Sequence, residues 1–325
     1  MHRTPKNTLF TLFLIVPYYV HAGQCTQSVA KIESIQGKVH RQAPNQKDWQ
    51  TILREDTLCS GDKIRTAKWS RATLVLNNKA IITLDQNSTL SLAAPRDGKG
   101  SWLLKLMHGI SFFRSRQPQQ LHIETPFVNA VHDGTEFLVN VDQQQTQISV
   151  IDGQVSAQNA NGNVKIGAGF TGVAAIGQAP HLQALTISPA DAVQWTLYYP
   201  PLIDFAHNKD FPVVLQAYQQ GDIAQALTAL EQTPQTDNPE YLTLKAALLI
   251  SVGRVDEAQP LLRQSRQLPG NNSNALALQA VIAVAKNQQQ SALDLANQAV
   301  TANPHSAVAK IAQSYAYQAL FNIDA

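Results

Sequence analysis

His122, Glu124, His132 and Glu136 fall within fifteen residues of one another, in the stretch LHIETPFVNAVHDGTE. Imidazole nitrogens and carboxylate oxygens are the donors that zinc and similar ions take, and His132 and Glu136 are four apart, a spacing that would place both on one face of a helix. The surrounding pattern is not helical. Leu121 and Ile123 alternate with His122 and Glu124, and Phe137, Val139 and Val141 alternate with Glu136 and Leu138, around Gly134. That is strand, turn, strand. A histidine beside a turn is more economically a solvated surface residue than a ligand. Nucleophilic chemistry fares no better, because Ser70, Ser88 and Ser111 lack a Gly-x-Ser-x-Gly elbow. Gly167-Ala-Gly169 leads into more strand-like sequence, so it is no phosphate loop. The expectation is a protein with no catalytic, metal or cofactor-binding residues, and no enzyme.

The elements that carry this stretch belong to an exported chain. Arg3 and Lys6 precede a short apolar run, Leu9 to Val16, and Val20-His21-Ala22 offers a cleavage point, so residues 1–22 read as a secretory signal peptide. No later run is long and apolar enough for a membrane span. A periplasmic or outer-envelope location follows as an expectation, with at most peripheral attachment. Cys25 and Cys59 are the only two cysteines. Outside the cytoplasm they could pair, which would contribute about 3.5–4 kcal/mol in the chain-entropy picture; two separate thiols are the alternative. Net charge is +2, and it hides an asymmetry. Residues 23–170 carry 16 Lys/Arg against 12 Asp/Glu, and residues 171–325 carry 7 against 11. Neither balance suits nucleic acid.

Two periods divide the chain. From Val29 to about Val173 the apolar residues recur every second position in short runs broken by Gly, Asn and Asp. Leu74, Ile82 and Leu90 are eight apart, as are Leu76, Leu84 and Leu92. A meander of short strands or the rungs of a β-solenoid would both give this spacing. After about Leu185 the period becomes helical. Turns at Gly221-Asp222, Gly253-Arg254 and Asn287-Gln288 lie 32 and 34 residues apart, each followed by a small residue, and this resembles tetratricopeptide repeats. Pro239, Pro269 and Pro304 fall between the helix pairs. The next turn would fall near Phe321 to Ala325, so the reading expects a last helix pair cut in its middle, as in a longer natural product or a truncated gene. Trp195, Tyr198 and Tyr199 sit at helical spacing before Pro200-Pro201 and read as a wedge packing one half on the other, with a ligand patch as the alternative.

Several segments together resemble the FecR domain family: Val29 to Val39, Trp49, Leu58-Cys-Ser-Gly-Asp-Lys-Ile-Arg-Thr66, Ser70 to Leu74, Asn87-Ser88, Ile123-Glu-Thr-Pro126, Gly134-Thr-Glu-Phe137 and Ile151-Asp-Gly-Gln-Val155. The resemblance runs from about residue 29 to 175, and it implies structural roles for Gly61, Asp62, Thr125, Pro126, Gly134, Thr135, Glu136, Phe137 and Gly153. The family usually has arginine where Asp133 stands, so that residue's role does not carry over.

The expected architecture is a mixed two-domain chain. It comprises the signal peptide, a FecR-like all-β domain of short strands (solenoid or sandwich) over 23–180, an aromatic and proline-rich connector over 181–212, and an all-α tetratricopeptide-like solenoid over 213–325. Gly134 is expected to shape the bend and Asp152-Gly153 a hairpin. The function expected is an exported, non-enzymatic binding or scaffold protein whose partners are envelope proteins, contacted through Trp195, Tyr198, Tyr199, Tyr218 or Tyr315. A periplasmic accessory of FecR-type signalling or iron-uptake regulation is the alternative.

Overall fold

The computed structural model describes residues 28–93, 102–116, 121–132, 134–185, 193–197, 199, 202–203, 210–232 and 234–321. Its first half is seventeen strands: β1 (Ser28–Gln36), β2 (Val39–Gln42), β3 (Gln50–Thr51), β4 (Thr57–Cys59), β5 (Lys63–Thr66), β6 (Arg71–Leu76), β7 (Ile81–Leu84), β8 (Thr89–Ala93), β9 (Trp102–Arg114), β10 (Leu121–Glu124), β11 (Asn129–His132), β12 (Glu136–Val141), β13 (Gln145–Asp152), β14 (Gln154–Asn159), β15 (Gly162–Gly167), β16 (Phe170–Ala175) and β17 (His181–Ala184). β17 falls within the stretch assigned to the connector from sequence.

Pairing sorts the strands into two sheets. The first runs β4-β1-β6-β7-β9-β12-β13-β16-β17. The second runs β3-β2-β5-β8-β9-β10-β11-β14-β15. β9 belongs to both. Its first half pairs with β8 and β10 and its second with β7 and β12, and the strand turns from one sheet to the other at Gly109 (φ 94°). Between the sheets lies one apolar core, to which Ile32, Leu74, Ile82, Phe113 and Phe137 contribute from the first sheet and Ile64, Leu90, Leu104, Ile123 and Val155 from the second. Each such side chain contributes about 1.5–3 kcal/mol by leaving water. Phe113 and Phe137, opposite one another in register, stack with ring centroids 5.1 Å apart. Of the two architectures the spacing allowed, the sandwich-like one is formed.

Two local expectations change. Leu74 and Ile82 are indeed direct partners across β6 and β7. Leu90 is not the next rung, because the chain crosses to the second sheet before β8, where Leu90 pairs with Ile64 and Leu106. Asp152-Gly153 is likewise no hairpin. β13 lies in the first sheet and β14 in the second, so Gly153 (φ 82°) is a corner between layers. A period of two records which residues face inward and carries no information about which layer a strand enters.

Among the described residues the second half contains seven α-helices: α1 (Pro212–Gln219), α2 (Ile223–Gln232), α3 (Pro239–Ser251), α4 (Val255–Gln267), α5 (Ser273–Ala285), α6 (Gln289–Ala302) and α7 (Ala307–Phe321). The first six form three antiparallel hairpins, and α7 packs on α5 and α6. The three expected turns share one hydrogen-bond pattern. Asp222 N–H donates to Ala217 O, Arg254 N–H to Leu249 O and Gln288 N–H to Ala283 O, with Gly221, Gly253 and Asn287 all at positive φ. This is the Schellman closure of a helix. The small residues that follow, Ala226, Ala258 and Ala292, are fully buried. Pro239 occupies the first turn of α3, capped by Asn238, whose side chain accepts from Glu240 and Tyr241 N–H.

Candidate functional site at the joint of the two units

The corners where the chain changes sheet stack on one another. A Cβ on Gly37 would meet Ser70 Oγ at 2.4 Å, and one on Gly109 would meet Ser88 Cα at 2.5 Å. One on Gly153 would meet Thr135 Cγ2 at 2.6 Å. Ser70 and Ser88 also bond the neighbouring corners: Lys38 N–H donates to Ser70 Oγ at 2.8 Å, and Ile110 N–H to Ser88 Oγ at 3.0 Å. Small residues and left-handed backbone are required here because two strands must turn in the space of one.

Part of this corner edge is the base on which the repeats sit. Trp69, at the corner between β5 and β6 (φ 59°), leaves the β core and joins the helical one, together with Tyr199, Leu202 and Phe211 of the connector. Beside it, Arg71 is 8% exposed. Its Nη1 donates to the carbonyl oxygens of Trp195 and, at 3.1 Å, Leu197, and its Nη2 to Gln36 Oε1 at 3.0 Å. Gln36 Nε2 donates in turn to the carbonyl of Ser251 at the end of α3. Asp85, 4% exposed, accepts from Arg254 Nη1 at 3.2 Å, and Arg254 Nε also donates to Glu257 at 2.6 Å. Gly253 lets the repeat turn approach, since a Cβ there would lie 2.4 Å from Trp195 O and 2.7 Å from Arg71 Nη1.

Equivalent turn positions of successive repeats dock with opposite signs. Asp222 faces Lys38 at 3.6 Å, and Arg254 faces Asp85. Lys68 and Glu231 add an exposed pair at 2.9 Å. The exposed pairs are worth little in energy. Alternation of sign nevertheless sets register, because sliding the array by one repeat would bring Arg254 against Lys38.

Burial raises Asp85 above the usual carboxylate range, against the opposing effects of the Gln86 N–H and of Arg254 and Arg71. Burial also lowers Arg71, against the nearby Asp85 charge. A carboxyl raised by folding gives up stability as pH climbs from its unfolded value through its folded one. The stability advantage of wild type over Asp85→Asn is therefore expected to be largest in acid and to shrink as pH rises. Urea midpoints of the two proteins between acid and neutral pH check this, and an advantage that grows with pH would refute the assignment.

The residues singled out from sequence are distributed as follows. Gly61 (φ 86°) and Asp62 form the turn into β5; Asp62 is fully buried, accepts from Cys59 N–H at 2.7 Å and lies 3.5 Å from Arg41 Nε. Burial raises its carboxyl, against the Cys59 N–H and Arg41. Thr125 closes the β10–β11 hairpin, its hydroxyl donating to Val128 O at 2.6 Å, and Pro126 is exposed in that turn. Gly134 (φ 65°) makes the corner into β12, and a Cβ added there would have no atom within 4 Å. The Thr135 hydroxyl is buried without a hydrogen-bond partner, and Thr135 O accepts from Ser115 N–H at 3.1 Å. Cys59 is held in a disulfide. Cys25, Asp133 and Tyr198 lie outside the described residues, as does the side chain of His132.

His122 and Glu124 point outward from the second sheet, and Glu136 outward from the first, so the core separates them. They do not converge. Among the described residues no group of three or more His, Cys, Asp or Glu is placed to hold a metal ion. Trp195 and Tyr199 do not share an α-helix either. Trp195 sits in a single 3-10 turn, Gln194–Thr196, and Tyr199 is 1% exposed, which removes it from any partner-contacting surface. Tyr218 and Tyr315 are half-buried against the helical core. The joint residues Trp69, Arg71, Asp85 and Arg254 were missed; the one legible sign was an arginine at a turn position where the other repeats carry Asp222 and Gln288.

No curated protein matches the chain. Two crystal structures of a candidate anti-sigma factor from Parabacteroides distasonis resemble it at 13% identity and a TM-score of 0.37, covering 43% and 46% of this chain and 68% and 72% of theirs. The solution structure of the first TPR domain of human RPAP3 resembles it at 16% identity and a TM-score of 0.29, covering 34% of this chain and 87% of that one. The family model described as FecR protein matches residues 62–156, from the turn into β5 to the middle of β14, and over that span the chain carries a FecR domain.

Proposed function

We propose that this protein is an exported, non-enzymatic scaffold of the bacterial envelope that serves FecR-type regulation. Its β unit acts as a base, and its helical repeats contact a protein partner. The observation that carries the reading is the joint: buried Arg71 and Asp85, with the oppositely charged turns at Asp222 and Arg254, hold the repeats in one orientation. A fixed array presents a preorganised surface, which lowers the ordering cost of binding. Tyr317, 43% exposed on α7, is a suitable reporter position. A photo-crosslinking residue at Tyr317, used in intact cells, is expected to capture one discrete envelope protein, identified by mass spectrometry. A capture profile identical to that of an unrelated exported control would remove the scaffold reading. Fractionation tests export separately: a periplasmic product beginning near residue 23 is expected, and a full-length cytoplasmic product would refute it.

The FecR match also supports a narrower reading, an accessory in signalling or iron-uptake regulation. A deletion strain whose transcription is unchanged under iron limitation would argue against that.

A further inference from the structure

The outward face of the second sheet carries an unbroken polar row. From β8 to β15 the register aligns Ser91, Lys105, Glu124, Asn129, Gln158 and Asn163, each the direct partner of the next. Lys63 continues the row on β5. At about 4.8 Å per strand the row spans about 30 Å. Polar residues on the solvated face of a sheet are ordinary. Three further features set this face apart.

Its charge is nearly of one sign. Lys63, Arg65, Lys105 and Lys165 point outward from these strands, against the single carboxylate Glu124. Lys105 and Lys165 are exposed and make no ion pair among the described residues. The field is felt by His40 on β2, which burial and then the Arg65 and Lys38 cations hold below its usual range. Next, the row ends in an open cleft of about 650 Å³ lined by Asn129, Ser156, Gln158, Asn163 and Lys165, among others. Finally, its polar side chains other than Lys165 are four amides and a hydroxyl, groups that both donate and accept, set among Val131, Ala157, Ala160 and Val164.

We propose that this face binds an extended, sparsely charged acidic polysaccharide, lying along the row with one end in the cleft. Amides match sugar hydroxyls, which also donate and accept, and the lysines match carboxylates. Lys63 and Lys105 are two strands apart, about 10 Å, so the cations are too sparse to match a phosphate backbone, which carries a charge every few ångströms. An acidic glycan with a carboxylate on only some of its sugars fits that spacing. The surface is distinct from the helical repeats and does not depend on their having a partner.

The test is calorimetric titration of the full mature protein with hyaluronan at low ionic strength, with dextran as the neutral control. Saturable binding of hyaluronan and none of dextran is expected. Combining Lys105→Gln with Lys165→Glu should weaken binding about tenfold, whereas Lys310→Glu on α7 should leave it unchanged. Both lysines are exposed, and an unaltered near-ultraviolet circular dichroism spectrum shows that the double variant is folded. Absence of saturable hyaluronan binding overturns the proposal, as does binding unchanged in the folded double variant. Tighter, lysine-dependent binding of poly(dT) or of phosphatidylglycerol vesicles also overturns it, by assigning the face to a phosphate ligand instead.

Discussion

Replacing Gly109 by alanine is expected to cost about 3–5 kcal/mol of stability, the sum of a left-handed backbone position and an unrelieved clash. At φ 94° the position lies outside what L side chains ordinarily adopt, and the new methyl would sit 2.5 Å from Ser88 Cα and 2.7 Å from Ser88 Cβ. Neither atom can swing aside, because Ser88 is fully buried and its hydroxyl donates to Ile110 O and accepts from Ile110 N–H, both at 3.0 Å. Gly109 is also where β9 passes from one sheet to the other, so a shift there disturbs both layers. Gly134→Ala is the natural comparison. Its φ of 65° is left-handed as well, yet nothing lies within 4 Å of the added atom, so its cost should be only about 1–2 kcal/mol. Urea unfolding of the two variants, followed by circular dichroism, measures the difference. Equal costs, or a larger one at Gly134, would mean that corner stacking contributes little.

Arg71→Met is expected to loosen the joint, at a cost of about 3–5 kcal/mol to the docked state. The methionine keeps most of the volume but leaves the Trp195 and Leu197 carbonyls without their donor, and Asp85 without one of its two neighbouring cations. The β core and the helical core are separate clusters, so each can persist after the joint opens. Unfolding should then resolve into two transitions, and the connector should become sensitive to protease. Adding Asp85→Asn to Arg71→Met should cost less than Asp85→Asn alone, because the two residues share one network. Strict additivity, or a single sharp transition in Arg71→Met, would show that the halves are held together by Trp69 and the connector alone.

Much of this was legible in the sequence, for a physical reason. Which side of a strand or helix is buried is written in the spacing of neighbouring residues, so the change from a period of two to a helical period separated the β unit from the repeats. The repeat turns were legible too, because Gly221, Gly253 and Asn287 supply the left-handed backbone that a Schellman closure requires. The FecR-like segments likewise pointed to the domain that the family model matches over residues 62–156. Layer assignment was not legible. β7 and β8 continue the same alternation, yet β8 lies in the other sheet, because a corner changes a strand's partners without changing its pattern. The four-apart spacing of His132 and Glu136 would matter only on a helix, and the two residues stand on β11 and β12, in different sheets. Asp85 and Arg254 are 169 positions apart, and no local periodicity links them. Their meeting, and the polar row that seven strands assemble on the second sheet, exist only once the chain has folded, since both depend on register between segments remote in sequence.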